Sequence, residues 1–174
     1  MKILMVGTGY VGLVSGLCFA EFGFDTTCVD KNISRLEKIK TGKSPFYEPG
    51  INDLLNKHLN STKLLKLSSN LVEESKIADV IFITVGTPSR RLVDDADLSA
   101  VFEVAKDIAN NIKDYSVIVT KSTVPVGTTR KIKKEIEKYI SKDKFDVVAN
   151  PEFLREGSAI NDFMRPDRVV IGTE

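Results

Sequence analysis

Short apolar runs recur along this chain, and stretches with a helical period separate them. The runs are "KILMV" (2–6), "DTTCV" (25–29), "DVIFITV" (79–85), "SVIVT" (116–120), "FDVVA" (145–149) and "RVVIG" (168–172). None shows the strict polar alternation of a half-exposed strand. They predict strands buried on both faces of a parallel sheet. Over 101–112, Val101, Val104, Ala105, Ile108 and Ile112 return at three- and four-residue steps. Over 130–140, Ile132, Ile136, Tyr139 and Ile140 do the same. Strand alternating with helix predicts an α/β, doubly wound, mainly parallel sheet. Residues 41–70 break the rhythm: "KSPFYEPG" predicts a loop, "INDLLNKHL" a short helix and "KLLKLS" a further strand.

Composition narrows the class. A chain of 174 residues holds one ordinary domain with a real core. Hydrophobic residues at 42% and charged residues at 28% exclude a disordered chain. A formal net charge of +1 gives no global field for nucleic acid or an anionic membrane, so neither is expected as a partner. The run "RKIKKEIEKYISKDK" (130–144) mixes both signs on a helical period, which predicts a solvated helix face. Cys18 and Cys28 sit in apolar segments without metal-ligand spacing. They are expected to be reduced core thiols, and no metal is expected. The only histidine, His58, has no partner nearby in sequence and is expected at the surface or its boundary. The chain starts directly in a strand-like run, with no signal-like or membrane-spanning segment, so a soluble, cytoplasmic protein is expected.

The first candidate chemistry is "VGTGYVG" (6–12), where Gly7, Gly9 and Gly12 form G-x-G-x-x-G. It follows an apolar strand and opens a helix through "LVSGLCFAEF", the context a dinucleotide site requires. Gly7 allows the tight turn, Gly9 lets a pyrophosphate approach the backbone, and Gly12 lets the helix pack closely. Free N–H groups at the helix start then face the anion. Asp30 ends the second strand, 18 residues after Gly12. A carboxylate there can accept both hydroxyls of an adenosine ribose and opposes a 2′-phosphate, which favours NAD over NADP. Lys31 and Arg35 are the basic neighbours that could accommodate such a phosphate. The plain alternatives are a tight strand–helix turn for the glycines and a turn or cap role for Asp30. Together the run pattern and the glycine motif predict a Rossmann-like dinucleotide-binding fold.

Three later strand ends carry polar clusters: Gly86, Thr87, Pro88 and Ser89; Lys121, Ser122, Thr123, Pro125 and Gly127; and "NPEFLREGSAI" (150–160). Ligands of open α/β sheets bind beyond the carboxyl ends of the strands, so all three are expected beside the glycine loop. Each alone could be ordinary turn chemistry. In the last cluster, Glu152 and Glu156 bracket Arg155. They could serve a site, pair with Arg155 at the surface, or cap a helix starting near Ser158.

"GTGYVGLVSG", "PFYEPGI", "ITVGTPS", "KSTVPVGTT" and "NPEFLREGSAINDFMRPDRVVIG" together resemble the UDP-glucose 6-dehydrogenase family, within the wider UDP-glucose/GDP-mannose dehydrogenase group. The resemblance runs over essentially the whole chain, and "REGSAINDF" followed by "RPDRVVIG" is more similar to the UDP-glucose branch. It implies an NAD-dependent oxidoreductase that takes UDP-glucose to UDP-glucuronate with two NAD per sugar. It implies that residues 1–174 are the NAD-binding domain. The family's central helical region, its homodimer contact and its sugar-binding domain with the nucleophilic cysteine would lie outside this chain. By the same resemblance, the backbone of Tyr10 and Val11 binds pyrophosphate, and Asp30 binds adenosine ribose. Arg35 stands where the family has lysine, and Thr87 and Thr123 face the nicotinamide half. Thr123 and Glu156 surround a water at the reacting carbon, so both are candidate catalytic and cofactor-binding residues. Glu152, Phe153, Leu154, Arg155 and Glu156 lie along the nucleotide sugar. Alternatives are a GDP-mannose or UDP-N-acetylmannosamine dehydrogenase, a β-hydroxyacid-type dehydrogenase, and a non-catalytic NAD-binding module.

Overall fold

The computed structural model describes residues 1–88 and 96–173. Six parallel strands form one sheet: β1 (Lys2–Val6), β2 (Asp25–Val29), β3 (Leu65–Ser68), β4 (Val80–Ile83), β5 (Ser116–Thr120) and β6 (Phe145–Ala149), in the order 3-2-1-4-5-6. Among the described residues, seven α-helices accompany them: α1 (Tyr10–Glu21), α2 (Ile33–Lys40), α3 (Ile51–Asn56), α4 (Leu71–Ser75), α5 (Ser99–Ala109), α6 (Thr128–Ile136) and α7 (Ala159–Met164). The order reverses between β1 and β4, which is where a doubly wound sheet opens its ligand crevice.

The runs of β1, β4 and β5 are buried on both sides because helices cover both faces. Along β1, Ile3 and Met5 join a core with Leu13, Val14 and Leu17 of α1. Leu4 and Val6 point the other way, to Val101 and Ile108 of α5 and Ile132 of α6. This period-2 division is pleat geometry. The register pairs Val6 with Val29 and with Ile83, so the ends of β1, β2 and β4 are level.

Three expectations need correction. "RVVIG" is not a buried parallel strand. Ala149 and Gly172 form one isolated antiparallel bridge, and Val169 and Ile171 are 64% and 65% exposed. A β-branched run gives strand propensity, but pairing decides whether a strand forms. Here the Asn150 side chain takes the Val170 carbonyl (2.9 Å) in place of a continuing ladder. His58 is not at the surface. It is 1% exposed, in a short π-helical stretch (Lys57–Ser61), and its Nε2 lies 2.7 Å from Glu21 Oε2. That partner is 37 residues away along the chain. "KLLKLS" does supply the edge strand β3. The helix expected over 130–140 ends at Ile136, short of Tyr139 and Ile140. Among the described residues no helix is long and apolar enough to cross a membrane.

Candidate functional site

The chain leaves β1 at Gly7 with φ +107°, a left-handed value open to glycine. A Cβ on Gly7 would stand 2.9 Å from the Thr84 carbonyl oxygen. One on Gly12 would stand 1.9 Å from the Gly7 oxygen, so the turn itself, as much as the sheet, demands glycine there. Gly9 differs. Its φ of −68° and ψ of −170° suit any residue, and no atom lies within 4 Å of the point a Cβ would occupy. Space lies open above Gly9 at the start of α1, and no side chain caps that helix. These features fit a pyrophosphate held by helix N–H groups. Thr84, within "ITVGTPS" but given no role from sequence, pins the turn by donating from Oγ1 to the carbonyls of Val6 (2.9 Å) and Gly7 (3.0 Å).

Asp30 lies beside this turn, nearly buried. Its Oδ2 accepts from the Thr8 amide (2.8 Å), the Thr8 hydroxyl (2.6 Å) and Arg35 Nη1 (3.0 Å). Its Oδ1 accepts from the Asn32 amide (2.8 Å) and keeps capacity for a further donor. Burial pushes the carboxyl up, but the bonds from Thr8 and Asn32 and the Arg35 charge outweigh it and hold it below the ordinary carboxylate range. Asp30 therefore fills the turn role weighed from sequence, and it stands as an anion at the crevice. Lys31 is exposed.

The later strand ends meet. The Thr87 hydroxyl donates to the Thr123 carbonyl (2.8 Å), and Ser122 Oγ donates to the Val85 carbonyl (2.7 Å). Ser89 lies outside the described residues. Lys121 is buried. Its Nζ donates to Asn150 Oδ1 (3.0 Å) and lies 5.5 Å from the Phe163 ring centre. Desolvation pulls its pKa down, opposed by the charge of Glu152. A cleft of about 810 Å³ beside it is lined by Lys121, Asn150, Glu152, Phe153, Leu154 and Arg155, among others.

Neither bland role for the glutamates of "NPEFLREGS" is seen. Arg155 pairs with Asp162, through Nη2 (2.7 Å) and Nε (3.1 Å), not with Glu152 or Glu156. Glu152 accepts from its own neighbour's amide, Leu154 (2.5 Å), and Glu156 is exposed. The amides at the start of α7 turn instead to Glu48, a residue of the motif "PFYEPGI" for which the sequence suggested no role. Glu48 accepts from the amides of Gly157 (2.9 Å) and Ile160 (3.3 Å) and from the Tyr10 hydroxyl. Its only signal in the sequence is a carboxylate inside the turn-rich "PFYEPG". Burial pushes both thiols, Cys18 and Cys28, up to about 12. Neither is a thiolate nucleophile. Among the described residues no group of three His, Cys, Asp or Glu is placed to hold a metal ion.

A family model described as the UDP-glucose/GDP-mannose dehydrogenase family, NAD binding domain, matches residues 1–174. A UDP-glucose 6-dehydrogenase of Rhizobium meliloti is 49% identical over 174 residues, covering 100% of this chain and 40% of that protein. A solved UDP-glucose dehydrogenase of Pyrobaculum islandicum superposes with TM-score 0.93 at 37% identity, over 99% of this chain and 40% of that one. A GDP-mannose dehydrogenase of Pseudomonas aeruginosa gives TM-score 0.94 at 35% identity, over 100% and 41%. The chain thus spans about two fifths of the length of these relatives. A glycine turn, an anionic Asp30 and converging strand ends, matched along their whole length by that family model, place the chain in the UDP-glucose/GDP-mannose dehydrogenase family as its NAD-binding domain.

Proposed function

We propose that this chain is the cofactor half of an enzyme that oxidises the C6 alcohol of UDP-glucose to the carboxylate of UDP-glucuronate. The observation that carries this reading is convergence. The glycine turn, Asp30, the Thr87–Thr123 contact and the Glu152–Gly157 segment share one edge of the sheet. The relatives named UDP-glucose 6-dehydrogenase support the substrate. NAD, when bound, supplies the hydride acceptor, and oxidation of an alcohol to an acid needs two.

The backbone of Tyr10 and Val11 holds the pyrophosphate beside Gly7, Gly9 and Gly12. Asp30 takes a ribose hydroxyl on Oδ1, and a second hydroxyl requires Arg35 to swing off Oδ2. Thr87 and Thr123 border the nicotinamide side. Thr123 and Glu156 orient a water and move a proton at the reacting carbon. Glu152, Phe153, Leu154 and Arg155 lie along the nucleotide sugar. The covalent step belongs to a cysteine in the remaining length of the protein, because both thiols here are buried and protonated. We assign the homodimer contact to a central helical region outside these residues, place the protein in the cytoplasm, and assign it no nucleic-acid partner.

GDP-mannose is the second reading, supported by a structural match as close as that to the UDP-glucose enzyme. The test is the full-length gene product with NAD and, separately, UDP-glucose, GDP-mannose, UDP-N-acetylmannosamine and a small β-hydroxyacid, followed by NADH absorbance. Turnover with UDP-glucose, at two NADH per sugar, is expected. Turnover confined to another substrate would transfer the assignment to it. NAD binding without turnover on any of them would leave a binding module.

A further inference from the structure

Glu48 is a carboxylate in a place where charge is rare. It is 4% exposed, and among the described residues no Lys, Arg or His forms an ion pair with it. A buried carboxylate needs hydrogen-bond donors in place of water. Its donors come from two separate parts of the site. One is the hydroxyl of Tyr10, the first residue of α1 and part of the glycine turn. The others are the amides of Gly157 (2.9 Å) and Ile160 (3.3 Å), which follow Glu156.

The contacts are mutual. Tyr10 Oη also accepts from the Gly157 amide (3.2 Å) and lies 3.4 Å from the Arg155 carbonyl. The Tyr10 ring packs on Phe46, two residues before Glu48, with ring centres 4.8 Å apart. Burial, then the bond to Glu48, pushes the Tyr10 hydroxyl up to about 12, so it stays a neutral donor. Gly157 has φ +83°, so the backbone beside Glu156 takes a turn that a side chain would strain. The loop carrying Glu48 thus bonds the helix start that faces the cofactor and the segment that carries Glu156.

We infer that Glu48 is a positioning residue that couples the two: it holds the Arg155–Ile160 backbone against the glycine turn, so that cofactor binding at the turn orders the segment presenting Glu156. This rests on the reading that NAD lies over the glycine turn and that Glu156 faces it. Coupling between sites is reciprocal, so the same link contributes to NAD affinity. Phe46 and Tyr10 supply the rigid contact, and the carboxylate supplies the bonds.

The experiment is backbone amide hydrogen exchange of residues 155–160, with and without saturating NAD, in the native chain, Tyr10→Phe, Glu48→Gln and Glu48→Ala. Unfolding midpoints and NAD affinities are measured alongside. NAD is expected to slow exchange at Gly157 and Ile160 roughly tenfold in the native chain, and less than about twofold in Tyr10→Phe and Glu48→Ala, with NAD affinity weakened to match. Glu48→Gln is expected to keep most of the effect, because its amide oxygen still accepts from Tyr10 and Gly157. Tyr10→Phe keeps the ring on Phe46 and decides the matter if Glu48→Ala does not fold. NAD-linked slowing that persists in both Tyr10→Phe and Glu48→Ala overturns the coupling, even if their unfolding midpoints fall. So does NAD binding to the native chain without any slowing. Failure of the cofactor reading has a different signature: no NAD binding, or equal binding by native chain and Gly9→Val. That outcome removes the coupling with it.

Discussion

At the scale of single residues, Gly7 and Gly9 separate what the fold needs from what the cofactor needs. Gly7→Ala places a Cβ 2.9 Å from the Thr84 carbonyl at φ +107°, so it should destabilise the fold by at least ~1–3 kcal/mol in urea unfolding. Gly9 has ordinary torsions and open space, so Gly9→Val should unfold at the native midpoint yet lose NAD binding by calorimetry. Unchanged NAD affinity in Gly9→Val would remove the cofactor from this turn. Asp30 ties the turn, and under the proposed function it also serves the cofactor. Asp30→Ala should weaken NAD binding by roughly 1.5–3 kcal/mol, the range for a bond to a charged group. It should also lower stability by about 1–3 kcal/mol, because the buried Thr8 amide and hydroxyl lose their acceptor. NADP should bind the native chain more weakly than NAD, and that gap should narrow in Asp30→Ala, where Arg35 no longer faces a carboxylate. The three glycines and Asp30 are legible in the sequence because each is a local requirement at a fixed spacing. Glu48 and Thr84 fall inside the motifs "PFYEPGI" and "ITVGTPS", but their roles are not legible there. Their partners lie 112 and 78 residues away, and nothing local distinguishes a turn glutamate or a strand threonine from its neighbours.

At the scale of elements, five of the six apolar runs form strands, because burial on two faces writes itself as a continuous apolar run, and "KLLKLS" forms the sixth, an edge strand with Lys66 exposed. "RVVIG" has the same composition and fails, since pairing is a property of neighbours and not of the run. The burial of His58 escapes the sequence for a similar reason. Its partner Glu21 belongs to α1, and the contact joins the end of α1 to the π-helical stretch after α3. Lys57 Nζ reaches the same carboxylate at 2.7 Å. The Lys57 bond first, and then His58, hold Glu21 below the ordinary carboxylate range. A carboxyl with a lower pKa in the folded state stabilises the fold above its unfolded value, and that stability is lost as pH falls through the folded one. Glu21 and Lys57 are partly exposed, so the expected size is only ~0.2–1 kcal/mol. Glu21→Gln should therefore be less stable than the native chain near neutral pH. The difference should shrink to nothing well below the unfolded glutamate value of about 4.3. A gap that persists in acid would assign the effect to packing of the buried histidine and not to charge.

At the scale of the whole chain, the residues proposed for the cofactor meet on one edge, while the cleft proposed for the sugar is open. Turn, Asp30 and strand ends meet on one edge, yet the segment that would border the sugar leaves Phe153, Val169 and Ile171 more than half exposed around a cleft of about 810 Å³. Residues 1–174 alone should bind NAD and should not oxidise UDP-glucose. The oxidation proposed above would need a thiolate beside the sugar C6 for its covalent step. Cys18 sits inside α1 and Cys28 inside β2, both buried, with thiols pushed up to about 12. Neither can reach the crevice without opening the core. An open cleft also leaves the sugar unpositioned, and positioning supplies ~7–11 kcal/mol of barrier lowering in well-oriented reactions. Mixing the chain with NAD and UDP-glucose and following NADH absorbance is the direct measurement, with calorimetry confirming that NAD is bound. No NADH above the blank is expected. Steady turnover that survives both Cys18→Ser and Cys28→Ser would place the chemistry on a residue of this half. Turnover abolished by either change would mean that a core thiol becomes exposed when the cofactor binds.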